Sequence, residues 1–323
     1  MNLSASRRFD SRSCFHPRLS AFICGFIVLL SGCAVAAAQP VVITDDRGKT
    51  VTLARPAQRI VSLAPHLTEL AFAAGAGARL VGVATHSDFP AAARSVAQIG
   101  DAARVDIERI AMLRPDLVLA WKSGNQAGDV ETLERLGQVV FVTEPARLTD
   151  IPRLLRAIGA LAATAPAAER AAATFEQGIM ALRAQYAGAR RLRVFYEVWH
   201  RPLITVNGAH MISDVIALCG GENVFARAST LTPTVSLEAV AAVRPEVIVG
   251  GTRPGGEEAF ARDWRAVVIG MLRELPVFYV DPDHLQRQSP RILDGARAIC
   301  AHLDQVRNRR QDAKAAKKTK DGN

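Results

Sequence analysis

The stretch IERIAMLRPDLVLAW, Ile107 to Trp121, decides the fold. Its apolar residues first recur at helical spacing, Arg-Pro stops that pattern, an acid follows, and an uninterrupted apolar run ends in tryptophan. A strand with no polar interruption is one covered on both faces. The same phrase returns 130 positions later as LEAVAAVRPEVIVGG, Leu237 to Gly251. A second echo links VSLAPHLTELAFAAGAG (Val61–Gly77) to ITVNGAHMISDVIALCGG (Ile204–Gly221), each read as strand, polar turn, helix and Gly-rich end.

Working outward, PVVITDDRGKTVTL (Pro40–Leu53) reads as a β-hairpin around DDRGK. Strand and helix then alternate from RIVSLAP (Arg59–Pro65) to VVFVTE, which means a parallel sheet with crossovers. From Thr149 to Gly188 no strand signal appears. Pro166 divides this stretch into two helices, the second from about Ala167 to Tyr186. Alternation resumes at RVFYEVW and closes with the helix SPRILDGARAICAHLDQV. The expected fold is α/β: two Rossmann-like lobes with central parallel sheets joined by one long α-helix, the ligand cleft between the lobes. The expected segments are 1–38 as a leader, 40–150 as the first lobe with its hairpin, 151–188 as the helical link, 189–306 as the second lobe, and 307–323 as a disordered basic tail.

The net charge of +9 resides mostly at the ends. Residues 1–33 contribute +3 and residues 307–323 contribute +5, leaving the body near +1. A nearly neutral body lacks the basic face that nucleic acid requires. Four arginines followed by LSAFICGFIVLL (Leu19–Leu30) read as an export leader whose apolar run is short for a membrane span. Two cleavage sites fit: before Cys33 in LSGC, which would leave Cys33 as a lipidated first residue, or after AVAAA near Ala38. Only Cys219 and Cys300 remain in the body, either paired or as two buried thiols.

In open parallel sheets ligands bind outside the carboxyl ends of the strands. Those ends carry Pro65, His66, His86, Asp88, Phe89, Trp121 and Lys122 in the first lobe. The second lobe offers Trp199, His200, Asn207, Gly250 to Arg253, and Asp281 to Arg287 with His284 among them. Aromatic rings, imidazoles and a few charges suit a large, flat, partly polar ligand. No phosphate-binding GxGxxG or GxxxxGK[ST] follows a strand, and GxSxG, HExxH and CxxC are absent. No catalysis and no catalytic cofactor are expected. No direct metal-ligand set is read either, though His86, His200 or His284 could approach the metal centre of a bound ligand.

TDDRGKTVTL, RIVSLAP-xxTEL-FAAGA, VGV-xxxSDFP, IGD, DIERI-xxLRPDLVLAW-xSGN, CGGENVF and SPRI together resemble the cobalamin-binding periplasmic proteins. These are substrate-binding components of ABC importers, in a wider group that also carries haem and iron–siderophores. The resemblance runs from about Val41 to Val306. It implies cobalamin or a related corrinoid as cargo, a permease and its ATPase as partners, and a periplasmic protein, freely soluble or lipid-anchored. It implies corrin contact from the Pro65–His66 turn, a pocket role for Trp121 and a Cys219–Cys300 disulfide; together with the strand-end positions the expected ligand-binding set is Pro65, His66, His86, Phe89, Trp121, Trp199, His200, His284 and Arg287, with Arg287 orienting side amides. His86 stands where the family often has Tyr, and His284 and Thr232 where some relatives have Trp. These exchanges keep haem or an iron–siderophore open as the cargo; a surface-anchored scaffold or sensor is the other alternative. Family members dock through an acid on each lobe, and the loops after the two repeated strands here supply Asp129 and Glu131, and Glu257 and Glu258.

Overall fold

The repeated Arg-Pro-acid phrase is a chain reversal, and its hydrogen bonds explain why it occurs twice. A computed structural model describes residues 40–251 and 256–321. The hairpin pairs β1 (Val41–Thr44) with β2 (Thr50–Leu53). The first lobe follows as β3 (Ile60–Ser62), α1 (Pro65–Ala73), β4 (Leu80–Val83), α2 (Ile107–Leu113), β5 (Leu117–Trp121), α3 (Ala127–Arg135) and β6 (Val140–Thr143). Its sheet is parallel in the order β4-β3-β5-β6. Next come α4 (Asp150–Leu161) and α5 (Ala165–Tyr186), with Pro166 in the first turn of α5, where its missing N–H costs nothing. The second lobe is β7 (Leu192–Glu197), α6 (Met211–Leu218), β8 (Gly221–Asn223), α7 (Leu237–Ala242), β9 (Val247–Gly250), α8 (Gly256–Arg265), α9 (Gly270–Arg273), β10 (Val277–Tyr279) and α10 (Ile292–Asp321). Its parallel sheet runs β8-β7-β9-β10, the same path as the first.

The repeat is built from matching bonds. Asp106 caps α2 by accepting the Arg109 N–H at 2.9 Å, and Ser236 caps α7 by accepting the Ala239 N–H at 3.2 Å. Each helix is followed closely by an arginine of positive φ, 45° at Arg114 and 43° at Arg244, and then by proline. The acid after the proline grips the neighbouring strand: Asp116 accepts the Arg59 N–H and Glu246 the Arg193 N–H, both at 2.9 Å. The guanidinium groups of Arg59 and Arg193 return to the carbonyls of Leu113 (2.7 Å) and Val243 (2.5 Å). Carbonyls orphaned at each helix end are thereby satisfied by the adjacent strand.

The lobes share one apolar core. It runs from Leu67, Leu70 and Ile158 through Ala168, Phe175 and Ile179 of α5 to Ile212, Val215 and Ile299. Helix α5 packs on α4 and α1 and also on α6 and α10. Where α5 meets α10, a Cβ on Gly178 would lie 2.4 Å from a methyl of Leu293, so the glycine lets that side chain pack directly on the α5 backbone. The outer sheet faces carry separate cores, around Ile110 and Val118 in one lobe and around Ile248 and Trp264 in the other.

One expectation is corrected. The tail from 307 was expected to be disordered, but α10 continues through Asp321. Arg307 explains the first added turn: it is buried and donates to the carbonyls of Arg190 (3.0 Å), Cys219 (2.7 Å) and Gly220 (3.1 Å). Beyond it Arg310 pairs with Glu246, and the rest is rich in helix-forming Ala and Lys. Cys219 and Cys300 form a disulfide, with Cα atoms 4.7 Å apart, that ties the end of α6 to α10. The leader and Cys33 lie outside the described residues. Among the described residues no helix is long and apolar enough to cross a membrane.

Candidate functional site

The carboxyl ends of the two sheets meet, and a buried carboxylate joins them. Helix α1 starts directly after β3, which puts Glu69 one turn in, at 3% exposure. Its Oε1 accepts from Arg287 at 3.0 Å and Arg291 at 2.5 Å; its Oε2 accepts from Ser289 Oγ at 2.6 Å and Arg291 Nε at 2.9 Å. Arg287 also binds Asp88 at 2.7 Å, Asp283 at 3.1 Å and the His86 carbonyl at 3.2 Å. Glu69, Asp88 and His86 belong to the first lobe and the two arginines to the second, so this is a clamp across the cleft. Charge-assisted, bidentate bonds of this kind are the strong ones. Arg147 makes a second crossing to Asp214 at 2.5 Å.

The clamp corrects the role expected of Arg287. At 9% exposure, with its donors engaged by three carboxylates and a carbonyl, it is structural first. Glu69, Ser289 and Arg291 were the residues missed, although TEL and SPR were visible as motifs.

Trp121 sits in a built seat at the end of β5. Its backbone N–H donates to Asn125 Oδ1 at 2.7 Å, and Asn125 Nδ2 donates to the carbonyls of Leu63 and Ala102 at 3.0 and 2.7 Å. The indole lies where a side chain on Gly124 would be, since a Cβ there would fall 1.8 Å from the ring. Ser123 donates twice to Glu144, fixing the outer turn of the same loop. The string WKSGN is thus a ring holder. His66 meets the indole edge-on, centroids 5.0 Å apart at 84°. It is buried at 3% exposure with Nε2 unpartnered among the described residues. Burial, and then the charge of Arg287, push its pKa down to about 3, so the imidazole is neutral. His66 therefore packs against Trp121 as a buried, neutral ring.

The other expected residues separate into two groups. Phe89 (44% exposed) and Trp199 (47% exposed) stand at the rim, with His86 exposed and Pro65 half-buried in the first turn of α1. The Arg291 guanidinium lies 4.2 Å over the Phe89 ring, so the clamp also backs this wall. Trp199 Nε1 donates to the Arg201 carbonyl at 2.9 Å, and Trp199 lines a recess of about 290 Å³ with Val198, Gly251, Asp283, Gln286 and Arg287. His284, in the turn Pro282–His284, is half-buried and is not among the residues lining that recess.

His200 belongs elsewhere, which is a further correction. Its Nδ1 lies 3.2 Å from buried Glu197, which also accepts the Trp264 indole N–H at 2.6 Å. Burial pushes Glu197 up, opposed by His200 and Trp264. This face of His200 opens on a groove with Leu203, Val235 and Asp263, away from Trp199's recess. Asp129, Glu257 and Glu258 lie in the first turns of α3 and α8 and Glu131 further along α3; all were expected in loops. Acids in a first helical turn also complement the helix dipole. Among the described residues no group of three or more His, Cys, Asp or Glu could hold a metal ion.

Glu69→Gln should strip the clamp's charge and destabilise the fold by about 3–5 kcal/mol, as expected for a broken buried ion pair. Arg297→Gln, which breaks the exposed pair with Asp294, should cost less than about 1 kcal/mol. Equal effects in denaturant titrations would contradict the clamp. The second prediction concerns His66. Because its folded value is about 3 against 6.5, the unfolded chain takes up that proton first as pH falls. Its contribution is complete above pH 6.5 and is lost as pH falls toward 3, by about 1.4 kcal/mol per unit. Stability of His66→Gln should therefore depend less steeply on pH across that window, and parallel profiles would refute the buried neutral imidazole.

The comparisons with known proteins agree with this architecture. The family model for periplasmic binding proteins matches residues 60–267. The chain is 35% identical to the vitamin B12-binding protein of Vibrio cholerae over 248 residues, 77% of this chain and 90% of the relative. It is 34% identical to that of Yersinia pestis over 253 residues, 78% of this chain and 89% of the relative. The crystal structure of the Vibrio cholerae periplasmic vitamin B12-binding protein superposes with a TM-score of 0.72, covering 78% of this chain and 98% of that one at 35% identity. A periplasmic haem-binding protein from Pseudomonas aeruginosa shares the fold at 23% identity and a TM-score of 0.67, covering 76% and 92%. The chain belongs to the periplasmic binding protein family.

Proposed function

We propose that this protein captures cobalamin or a closely related corrinoid between its lobes and delivers it to a membrane permease and its ATPase, without covalent chemistry. The observation that carries the reading is the preformed seat of Trp121 at the inter-lobe edge, in a chain 35% identical to a vitamin B12-binding protein. Trp121, Trp199, Phe89 and Pro65 would supply the apolar walls for the macrocycle. His86 and His284 are the imidazoles left to approach its metal. Much of the contact surface is held before the ligand arrives, which lowers the ordering cost of binding. The leader is read as directing export to the periplasm, with lipidation at Cys33 or cleavage near Ala38 deciding whether the protein is anchored. Haem is the second reading because His86 is an exposed imidazole in the loop after β4.

Docking on the permease is assigned to acids in the helices that follow the two repeated strands. Half-buried Asp129 and exposed Glu131, Glu257 and Glu258 are candidates. The internal repeat singles out a better matched pair: Glu108 and Glu238 are 130 positions apart, both exposed, in the first turns of α2 and α7. Fixed charges on a rigid body direct orientation and on-rate more than affinity.

Adding cobalamin to purified protein should quench tryptophan fluorescence, and Trp121→Ala should weaken binding about 30-fold, the scale of a buried aromatic anchor. No response to cobalamin with a Soret shift on adding haemin would move the cargo to haem; no response to either would favour a scaffold or sensor. The double variant Glu108→Arg with Glu238→Arg should bind cobalamin normally yet lose association with the reconstituted permease. Unchanged association would reject that pair.

A further inference from the structure

Strand β7 ends in a carboxylate that neither the inter-lobe clamp nor the seat of Trp121 uses. Glu197 is fully buried there. Its Oε2 accepts the Trp264 indole N–H at 2.6 Å. Its Oε1 has no hydrogen-bond partner among the described residues and lies 3.2 Å from His200 Nδ1. The opposite nitrogen of that imidazole, Nε2, lies 4.0 Å from Asp263 of α8. The His200 ring stands edge-on to Trp264, centroids 6.3 Å apart at 76°. Among the described residues His200 and Asp263 are the charged groups that bear on Glu197, with Arg201 lining the same outer groove as both. The preceding Tyr196 phenol is kept neutral by burial, which raises its pKa.

The turn that follows Glu197 carries Trp199. Val198 N–H donates to the Ile204 carbonyl and Ile204 N–H to the Trp199 carbonyl, both at 2.8 Å, so the chain folds back on itself over Val198–Ile204. Trp199 and His200 are adjacent in this turn, yet they serve opposite sides of it. Trp199 lines the recess that contains Asp283 and the clamp arginine Arg287. His200 lines the groove with Leu203, Val235 and Asp263. The backbone bonds lie within the turn and set its shape. The contacts of His200 with Glu197 and Asp263 tie the turn to β7 and α8, and therefore bear on where Trp199 stands.

We propose that Glu197 and His200 are positioning residues that hold Trp199 in the cleft wall through the charge on the buried carboxylate, so that this wall loosens in acid. The proposal rests on the reading of Trp199 as a wall for cargo. Burial pushes the pKa of Glu197 up, opposed by His200 and then by Trp264. Falling pH therefore returns a proton to Glu197 before it reaches an ordinary carboxylate. The neutral acid no longer carries the charge that holds the imidazole, and a charge-assisted contact is lost. Linkage gives fold stability the opposite sign. Because the folded value lies above the unfolded one, ionising Glu197 lowers stability as pH rises through it. The charge that holds the wall is thus one that the fold itself would shed.

Two readouts test this. In Trp121→Phe protein, Trp199 is the exposed indole that remains, because Trp264, the third tryptophan, is buried. Acrylamide quenching of the cargo-free protein should rise between about pH 7.5 and about pH 5, a range above the usual carboxylate titration. Adding Glu197→Gln or His200→Ala to that protein should give the acid value at both pH values. Equilibrium dialysis with cobalamin, using chains that keep Trp121, should show binding weakened about fivefold by acid in the parent, on the scale of one hydrogen bond. Glu197→Gln, which keeps an oxygen for the Trp264 N–H, should bind about fivefold more weakly than the parent at about pH 7.5, change little with pH, and melt no lower than the parent. Quenching that does not change with pH, a Glu197→Gln protein that follows the parent's pH profile, or weaker binding with a lower melting temperature would each overturn the proposal. If the quenching behaves as expected while the parent binds no cobalamin at either pH, the tether stands and the cargo reading falls.

Discussion

Everything at the cleft depends on the carboxylate of Glu69. It is held by four hydrogen bonds from three residues of the other lobe, two of them arginines. A carboxylate taken out of water is tolerated only when its lone pairs are filled and its charge is opposed. Both conditions are met only while the lobes stay in this relation. The continuous core through α5 imposes the same constraint with apolar contacts. Wide hinge closure would have to break a buried ion cluster and expose core together, so the structure favours small adjustments at the rim over large rotations.

That rigidity shapes the chemistry of the slot. Arg291 serves both Glu69 and the Phe89 ring, and Arg287 holds the His86 carbonyl, so the clamp positions two rim residues directly. It also bears on Trp121, because the charge of Arg287 helps keep His66 neutral against the indole. A neutral imidazole edge packs against a ring face without the desolvation cost a charged one would bring. A single buried network thus sets the gap, one wall and the support of the other.

Much of the architecture was legible in the sequence. The Arg-Pro-acid phrase, alternating with uninterrupted apolar runs, was enough to read two parallel sheets, because the period and the stop signal are local properties. The helical link was legible from forty residues without a strand signal. The site was only partly legible. Strand-end position drew attention to Trp121 and Trp199, but it could not say which way a side chain turns. His66 and His200 follow strands as expected, yet one is buried against Trp121 and the other faces Glu197 and Trp264. The clamp role of Arg287 is not legible in the sequence, because Glu69 and Asp88 lie about 200 positions away in the chain. The helical tail was misjudged for a related reason: Arg307 and Arg310 are anchored by carbonyls and a carboxylate distant in sequence.

The central claim is that the two lobes form one rigid body before cargo arrives. Pulsed electron resonance between spin labels at Lys122→Cys and Ala209→Cys, both exposed sites on opposite lobes, measures this directly. A single narrow distance that shifts by less than about 3 Å when cobalamin is added is the expected result, since the lobes share one core and a buried ion cluster. A broad or two-peaked distribution in the free protein that collapses on adding cargo would contradict the claim.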